Sequence, residues 1–258
     1  GSEPPFGFAY EWIAIKGAGE FSSSAGLVIT LKQMMEIYEP EIVRYLFAST
    51  RPNACFNISF DVDVLKIYED FDKCERIYFD AEKVNDKDKI KQSRIYELSC
   101  VEKCPAKLPY QPGFRHLTTV LQTRGMDVEK AIGFFEKELK DEFDRERLRK
   151  RAECAKNWLE KYAPEEFKFS VQDEVKIKLG AKEKKVLQLL GKRLLEKDWT
   201  DVELHEEIYI LCQNEELEIK DFFKAAYQIL IAKEKGPRLA AFILEIGREK
   251  VADLFGKV

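Results

Sequence analysis

The chain has 258 residues, 45% of them hydrophobic and 35% charged, with a formal net charge of -4 and a pI near 5.6. That balance excludes an intrinsically disordered chain, and no apolar run approaches the ~18 residues that a membrane helix needs. It also excludes a protein that grips nucleic acid through overall charge, so any RNA contact has to come from local basic patches.

The start, Gly1-Ser2-Glu3-Pro4-Pro5, lacks the basic residues and apolar core of a signal peptide. Gly1-Ser2 without a Met reads as the remainder of a cleaved tag, and the chain as an internal or C-terminal piece of a larger protein. Residues 8–15 read as a strand and Leu27-Val28-Ile29 as a second, with a Gly- and Ser-rich loop between them. Thr30 is placed to N-cap a helix over 31–38, and Pro40 suits the first turn of the next, which ends before Arg51-Pro52-Asn53. Residues 57–60 read as a further short strand. Val64, Ile67, Tyr68, Phe71, Cys74, Ile77 and Tyr78 then recur at three- and four-residue steps, the stripe of one long helix.

Residues 81–89 are polar and read as a solvent loop, and 105–113, with Pro105, Pro109, Pro112 and Gly113, as a linker. Beyond it the pattern predicts helices at roughly 114–124, 127–138, 141–162, 181–197, 200–213, 218–233, 237–246 and 248–255. No fixed-period repeat points to a solenoid. The predicted fold is mainly α, with a small α/β piece followed by an α-helical body.

Cys100 and Cys104 form a C-x-x-x-C with no second pair and no nearby His. Four-ligand zinc spacing is not met, so no metal is expected, and the six cysteines read as reduced thiols. His116 and His205 have no neighbouring His and read as ordinary helix residues. Phe134-Phe135, Phe222-Phe223, Phe242 and Leu244 lie at core-like spacing and read as packing.

The most specific signal begins with the segment from Lys16 to Gly26 and extends well into the chain. Ser22-Ser23-Ser24, Gly26, Val28-Ile29-Thr30, Glu39-Pro40-Glu41 and Arg44-Tyr45-Leu46-Phe47 come in order. Arg51-Pro52-Asn53, Phe60-Asp61, Asp63, Tyr68-Glu69, Asp72 and Glu75-Arg76-Ile77-Tyr78 come next, with Gly236-Pro237-Arg238-Leu239 near the end. In this the chain resembles class I lysyl-tRNA synthetases from just before their Lys-Met-Ser-Ser-Ser-Lys-Gly loop. The resemblance implies a parent enzyme, a cytoplasmic lysine–tRNA ligase that uses ATP and Mg²⁺ to form lysyl adenylate and transfers lysine to tRNA(Lys). A glutamyl-type class I enzyme and a non-catalytic RNA-binding paralogue are the alternatives.

The resemblance also implies a division. Residues 1–30 would end the Rossmann-type catalytic domain, 31–104 would form an α/β stem-contact region, and 105–258 an α-helical anticodon-binding region. The ATP loop maps to Lys16, Glu20, Phe21, Ser22, Ser23, Ser24, Ala25 and Gly26. It departs from the family pattern, because Glu20 stands in place of the first lysine, Phe21 of the methionine and Ala25 of the later lysine. A carboxylate facing a triphosphate is repulsive, so Lys16 is the nearest cation left for that task. The second class I signature, His-x-Gly-His, does not occur in this sequence. The chain alone is therefore expected to be inactive, to hold no ATP, and to depend on the upstream half of the same protein. The expected partners are that half and tRNA(Lys), with no membrane or DNA. The tRNA-binding candidates are Arg115, Arg124, Arg145, Arg147, Arg149, Lys150 and Arg151, with Lys182, Lys184 and Lys185 as further cations. Tyr110, Phe114 and Trp158 are the aromatics offered for base stacking.

Overall fold

The computed structural model describes residues 7, 10, 11, 13–16, 19–20 and 30–258. The predicted strand at 27–29 and the loop residues Phe21, Ser22, Ser23, Ser24, Ala25 and Gly26 lie outside the described residues. The chain divides into two compact units, one of residues 1–118 with 128–167 and the other of 119–127 with 168–258.

The first unit carries a three-stranded sheet of order β2-β1-β3, with β1 at Ile13–Ile15, β2 at Gly19–Glu20 and β3 at Phe56–Ile58. β1 runs antiparallel to β2 and parallel to β3, with Ala14 opposite both Glu20 and Asn57. The strand expected over 8–15 is thus shorter: Tyr10 and Glu11 belong to none. Helix α1 is Leu31–Ile37, opened by a capping box in which the Thr30 side chain accepts from the Gln33 N–H and the Gln33 side chain accepts from the Thr30 N–H. Pro40 starts α2, Pro40–Ala48, where a missing N–H costs nothing. The apolar stripe from Val64 to Tyr78 is the inner face of α3, Asp63–Tyr78.

The polar segment at 81–89 differs from expectation, because α4, Asp86–Ser99, already begins inside it. Asn85 accepts a hydrogen bond from the Asp88 N–H, and Asp86 and Asp88 complement the positive helix start, so polarity there marks a cap rather than a loop. Residues 105–113 have no regular structure, yet Pro109 and Pro112 are buried and the segment lies within the first unit. Helices α5 (Phe114–Thr123), α6 (Val128–Phe134) and α7 (Glu142–Lys161) follow. α6 is shorter than the predicted 127–138, because after Phe134 the chain tightens into turns, with Phe135 N–H bonding Ile132 O and Glu138 N–H bonding Phe135 O.

An aromatic column fills this unit. Tyr68 stacks on Phe114 at 3.8 Å, and Tyr38 and Trp158 extend the contacts at 6.1 Å on either side. Each polar tip finds a carbonyl: Tyr38 O–H donates to Ser59 O, Tyr68 O–H to Ile37 O and Trp158 N–H to Phe60 O. Those bonds let large amphipathic rings be fully buried without an orphaned donor.

The second unit is helical from residue 181: α8 Ala181–Leu194, α9 Asp201–Asn214, α10 Ile219–Ile231, α11 Leu239–Ile246 and α12 Arg248–Gly256. Its core is one cluster that includes Leu190, Leu204, Ile208, Phe222, Leu230, Phe242 and Phe255. α8 and α12 meet at Gly191, where an added Cβ would come within 3.3 Å of Ala252 O and Phe255 Cβ, so a side chain there would push the helices apart. The described residues form twelve α-helices and one small sheet, the mainly α architecture that the sequence predicts. No helix of the described residues is long and apolar enough to cross a membrane.

Candidate nucleic-acid interface

Lys16 follows β1, and its ammonium group is held between Asp61, 3.1 Å away, and Asp63. Asp61 is itself fixed by the Ser59 hydroxyl at 2.5 Å and the Asp63 N–H at 2.9 Å, just before α3. The hydrogen bonds to Asp63 and then Asp61 raise the Lys16 pKa and hold the ammonium protonated. The cation that the sequence leaves nearest to the loop is thus already neutralised by two carboxylates. The Glu20 backbone pairs with β1. Among the described residues no group of three or more His, Cys, Asp or Glu side chains is placed to hold a metal ion.

The basic run on α7 splits in two. Arg151 is only 2% exposed; its guanidinium forks onto Asp72 at 2.7 and 2.9 Å and reaches Glu39 at 2.8 Å. Arg147, 11% exposed, donates to the other Glu39 oxygen at 2.5 Å and lies 3.7 Å from Glu75. Glu75 in turn accepts from Tyr96 O–H and from the Gln111 side-chain amide, each at 2.6 Å. Burial alone would raise the Glu39 carboxyl, but Arg147 and Arg151 outweigh it and lower it to about 2. These two tRNA candidates are thus withdrawn from the surface into an ion network, where one Arg147 nitrogen, Nη2, is buried without a hydrogen-bond partner among the described residues. A buried guanidinium needs every such partner to offset its desolvation.

The other α7 cations face outward. Arg145 pairs with Glu136, Arg149 with Glu129 at 2.9 Å, and Lys150 approaches Glu41 at 3.9 Å. Arg115 is exposed with its guanidinium 5.1 Å from the Phe167 ring centre, and Arg124 is half-buried. On α8, Lys182 and Lys185 pair with Glu216 and Glu215, and Lys184 is exposed. Phe114 and Trp158 are core, and Tyr110 packs against Phe135. None of these residues lines the groove of the second unit described next.

A different set is gathered. In the second unit a groove of about 770 Å³ runs between the start of α9, the face of α10 and the segment 234–238. His205 and Phe223 line it. Tyr209, one turn along α9 and 46% exposed, stands 4.8 Å from the His205 ring and 6.4 Å from Phe223, making a ladder of rings. Phe222-Phe223 reads as packing in sequence, and both pack: Phe222 is buried in the core, and Phe223 packs against it while remaining half-buried at the groove. Four cations line the recess, Lys220, Lys224, Lys235 and Arg238, against two carboxylates, Asp201 and Glu234. Lys224 pairs with Glu234 at 2.5 Å. Lys220, Lys235 and Arg238 are exposed and make no ion pair with a described carboxylate.

The wall of this groove is built by close packing. α10 ends on Ala232 in the left-handed conformation, φ 55°, which turns the chain back. Tyr227 O–H donates to Pro237 O, and Gly236 lies so near the Tyr227 ring that an added Cβ would sit 2.7 Å from it. Sequence reasoning passed over Tyr209, and read His205 as an ordinary helix residue and Phe223 as packing. The available signal was an i, i+4 pair of rings on α9 beside Val202 and Ile210, both exposed.

The family model for class I tRNA synthetases (K) matches residues 1–102. The chain is 42% identical over 261 residues to the lysine–tRNA ligase of Borreliella burgdorferi, covering 98% of this chain and 49% of that protein. It is 42% identical to that of Treponema pallidum, over 96% of this chain and 48% of the relative. With the lysine–tRNA ligase of Thermococcus kodakarensis it shares 36% identity, over 97% of this chain and 49% of the relative. The chain spans about half the length of these curated relatives. On these matches, which run through Glu39, Asp72, Glu75 and the segment 236–239, the chain belongs to the class I lysyl-tRNA synthetase family.

Proposed function

We propose that the whole protein is a lysine–tRNA ligase, attaching lysine to tRNA(Lys) at the expense of ATP in the presence of Mg²⁺, and that this chain supplies RNA binding. In this reading the first unit carries the stem contact and the second unit the anticodon contact, in the cytoplasm. Lys16 is bound by Asp61 and Asp63, and no step of adenylation is assigned to the described residues. The ligase reading rests on similarity to proteins of that name.

The RNA reading rests on one observation: the α9–α10 groove joins exposed rings to cations without carboxylate partners. Unstacked bases bind on aromatic faces, and their phosphates on free cations. His205, Tyr209 and Phe223 supply the faces, and Lys220, Lys235 and Arg238 the charge. Each stacked base is worth about 1–3 kcal/mol. Titration of labelled tRNA(Lys) and of an anticodon-mutated transcript tests this. Tyr209→Ala should weaken tRNA(Lys) binding roughly 5- to 100-fold, the equivalent of about 1–3 kcal/mol, and reduce the preference over the mutated transcript. Equal binding of both transcripts by wild type overturns the anticodon contact, and an unaffected Tyr209→Ala overturns the groove as its place.

A further inference from the structure

The C-x-x-x-C that zinc spacing leaves unexplained is brought together by the end of α4. Cys100 is the C-cap residue; its N–H bonds Tyr96 O, and its thiol lies 3.4 Å from the same carbonyl. The chain then turns through exposed Val101, Glu102 and Lys103 and returns Cys104 to it, with the two sulfur atoms 2.6 Å apart. Both thiols are free, and among the described residues no third ligand joins them. Cys100 is buried and Cys104 half-buried, so one thiol is reachable from solvent and the other waits behind it. Burial, with Cys104 beside it, pushes the Cys100 thiol up to about 12, which keeps the inner sulfur protonated and unreactive until a partner arrives.

We propose that Cys100 and Cys104 are a reversible oxidation site, closed to a disulfide by small-molecule disulfides of the glutathione type. The Cys104 thiolate, its proton lost to solvent, attacks one sulfur of the oxidant and expels the first small thiolate. The Cys100 sulfur then displaces the second small thiolate, which takes up the Cys100 proton. Two protein thiols and one small disulfide become one protein disulfide and two small thiols, so atoms and electrons balance. The contact between sulfurs means that little chain movement is needed, since a bonded pair lies about 2.05 Å apart. Closure ties the end of α4 to the entry of the 105–113 segment. That segment carries the Tyr110 N–H that donates to Asp144 and the Gln111 amide that donates to Glu75, so oxidation stiffens the approach to the buried ion network. In a reducing cytosol the pair rests as two thiols.

The test uses the wild-type full chain, incubated with oxidised or reduced glutathione, alkylated and digested with trypsin without reduction. Cleavage after Arg94, Lys103 and Lys107 places the two cysteines on separate peptides. The expected result with oxidised glutathione is peptide 95–103 linked to 104–107, loss of alkylation at both cysteines, and recovery of both on adding dithiothreitol. Exposed Cys55, which has no cysteine neighbour, should instead carry a glutathione adduct. With Cys104→Ser, Cys100 should keep its alkylation with or without the oxidant. The proposal fails if wild type yields only a glutathione adduct on Cys104, or if both thiols stay alkylated after the exposure that modifies Cys55.

Discussion

The inner face of α7 and the groove between α9 and α10 both gather cations, but the first encloses them with carboxylates and the second leaves Lys220, Lys235 and Arg238 without an ion pair among the described residues. The α7 run is the densest basic stretch in the sequence, yet its two innermost members serve the fold. The groove cations are scattered over nineteen positions, from 220 to 238, and no linear count of charge reveals them. Density of charge along a chain therefore says little about availability. What decides is whether the fold supplies a counter-ion, because a paired, desolvated guanidinium has no free capacity for phosphate. The same network gives a physical reason for three of the family-marker residues. Glu39, Asp72 and Glu75, from α3 and the junction of α1 and α2, are the counter-ions that seat Arg147 and Arg151 of α7.

The sharpest way to break this comparison is Arg151→Met. It leaves Glu39 and Asp72 buried beside a single remaining cation, and uncompensated buried charge costs about 3–5 kcal/mol. Denaturant unfolding followed by fluorescence of Trp158, on the same helix, should show a midpoint shift of that size. A loss below about 1 kcal/mol would mean that the network is open to solvent, and that Arg151 is available after all.

Acid titration sharpens the same point. Glu39 is held at about 2 in the fold, below the value of 4.5 that it has when unperturbed. A lowered carboxyl adds stability above its unfolded pKa and loses it as pH falls through its folded one. The stability gap between wild type and Glu39→Gln should therefore be constant above pH ~5 and shrink from there toward pH ~2. Burial holds the Asp72 and Glu75 carboxyls up, which acts in the opposite sense; the Glu39 charge adds to the Asp72 shift, so Glu39→Gln relieves that part as well. A gap that stays constant down to pH ~2 would show that Arg147 and Arg151 do not hold that carboxylate.

Much of this architecture is legible in the sequence, for reasons that are local. Thr30 with Gln33 and Thr200 at the start of α9 place helix starts through their own side chains. The three- and four-residue spacing from Val64 to Tyr78 is the buried face of α3. The start of α4 hides in a polar stretch, because a cap and a loop use the same residue types. The site is less legible, since it depends on pairings that are distant in sequence. Arg151 meets Asp72 across 79 positions and Glu39 across 112. Phe223 packs against the core and also faces the opening that α9 and the 234–238 segment frame beside it.

Gly236→Ala probes the groove wall. The new Cβ meets the Tyr227 ring at 2.7 Å, and such overpacking costs about 1–3 kcal/mol. The strain should shift the 234–238 segment and reduce RNA binding along with stability. Full RNA affinity alongside clear destabilisation would show that Lys235 and Arg238 do not depend on that wall.

The smallest effect is expected on the outer face of α7. Arg149 is partly exposed and paired with Glu129 at 2.9 Å, and solvent screens an exposed pair of this kind, so Arg149→Ala should hardly change the unfolding midpoint. Its weight lies in the salt dependence of RNA binding. Each phosphate neutralised on a single strand adds about 0.7 to the slope of log affinity against log salt. Arg238→Ala should lower that slope by about this amount, because a free cation is lost. Arg149→Ala should leave it unchanged, because its charge is already spent on Glu129. A drop in slope for Arg149→Ala equal to that for Arg238→Ala would mean that RNA displaces the carboxylate. The outer face of α7 would then contact RNA in its own right, and the contrast between bound and free cations would hold only for its inner face.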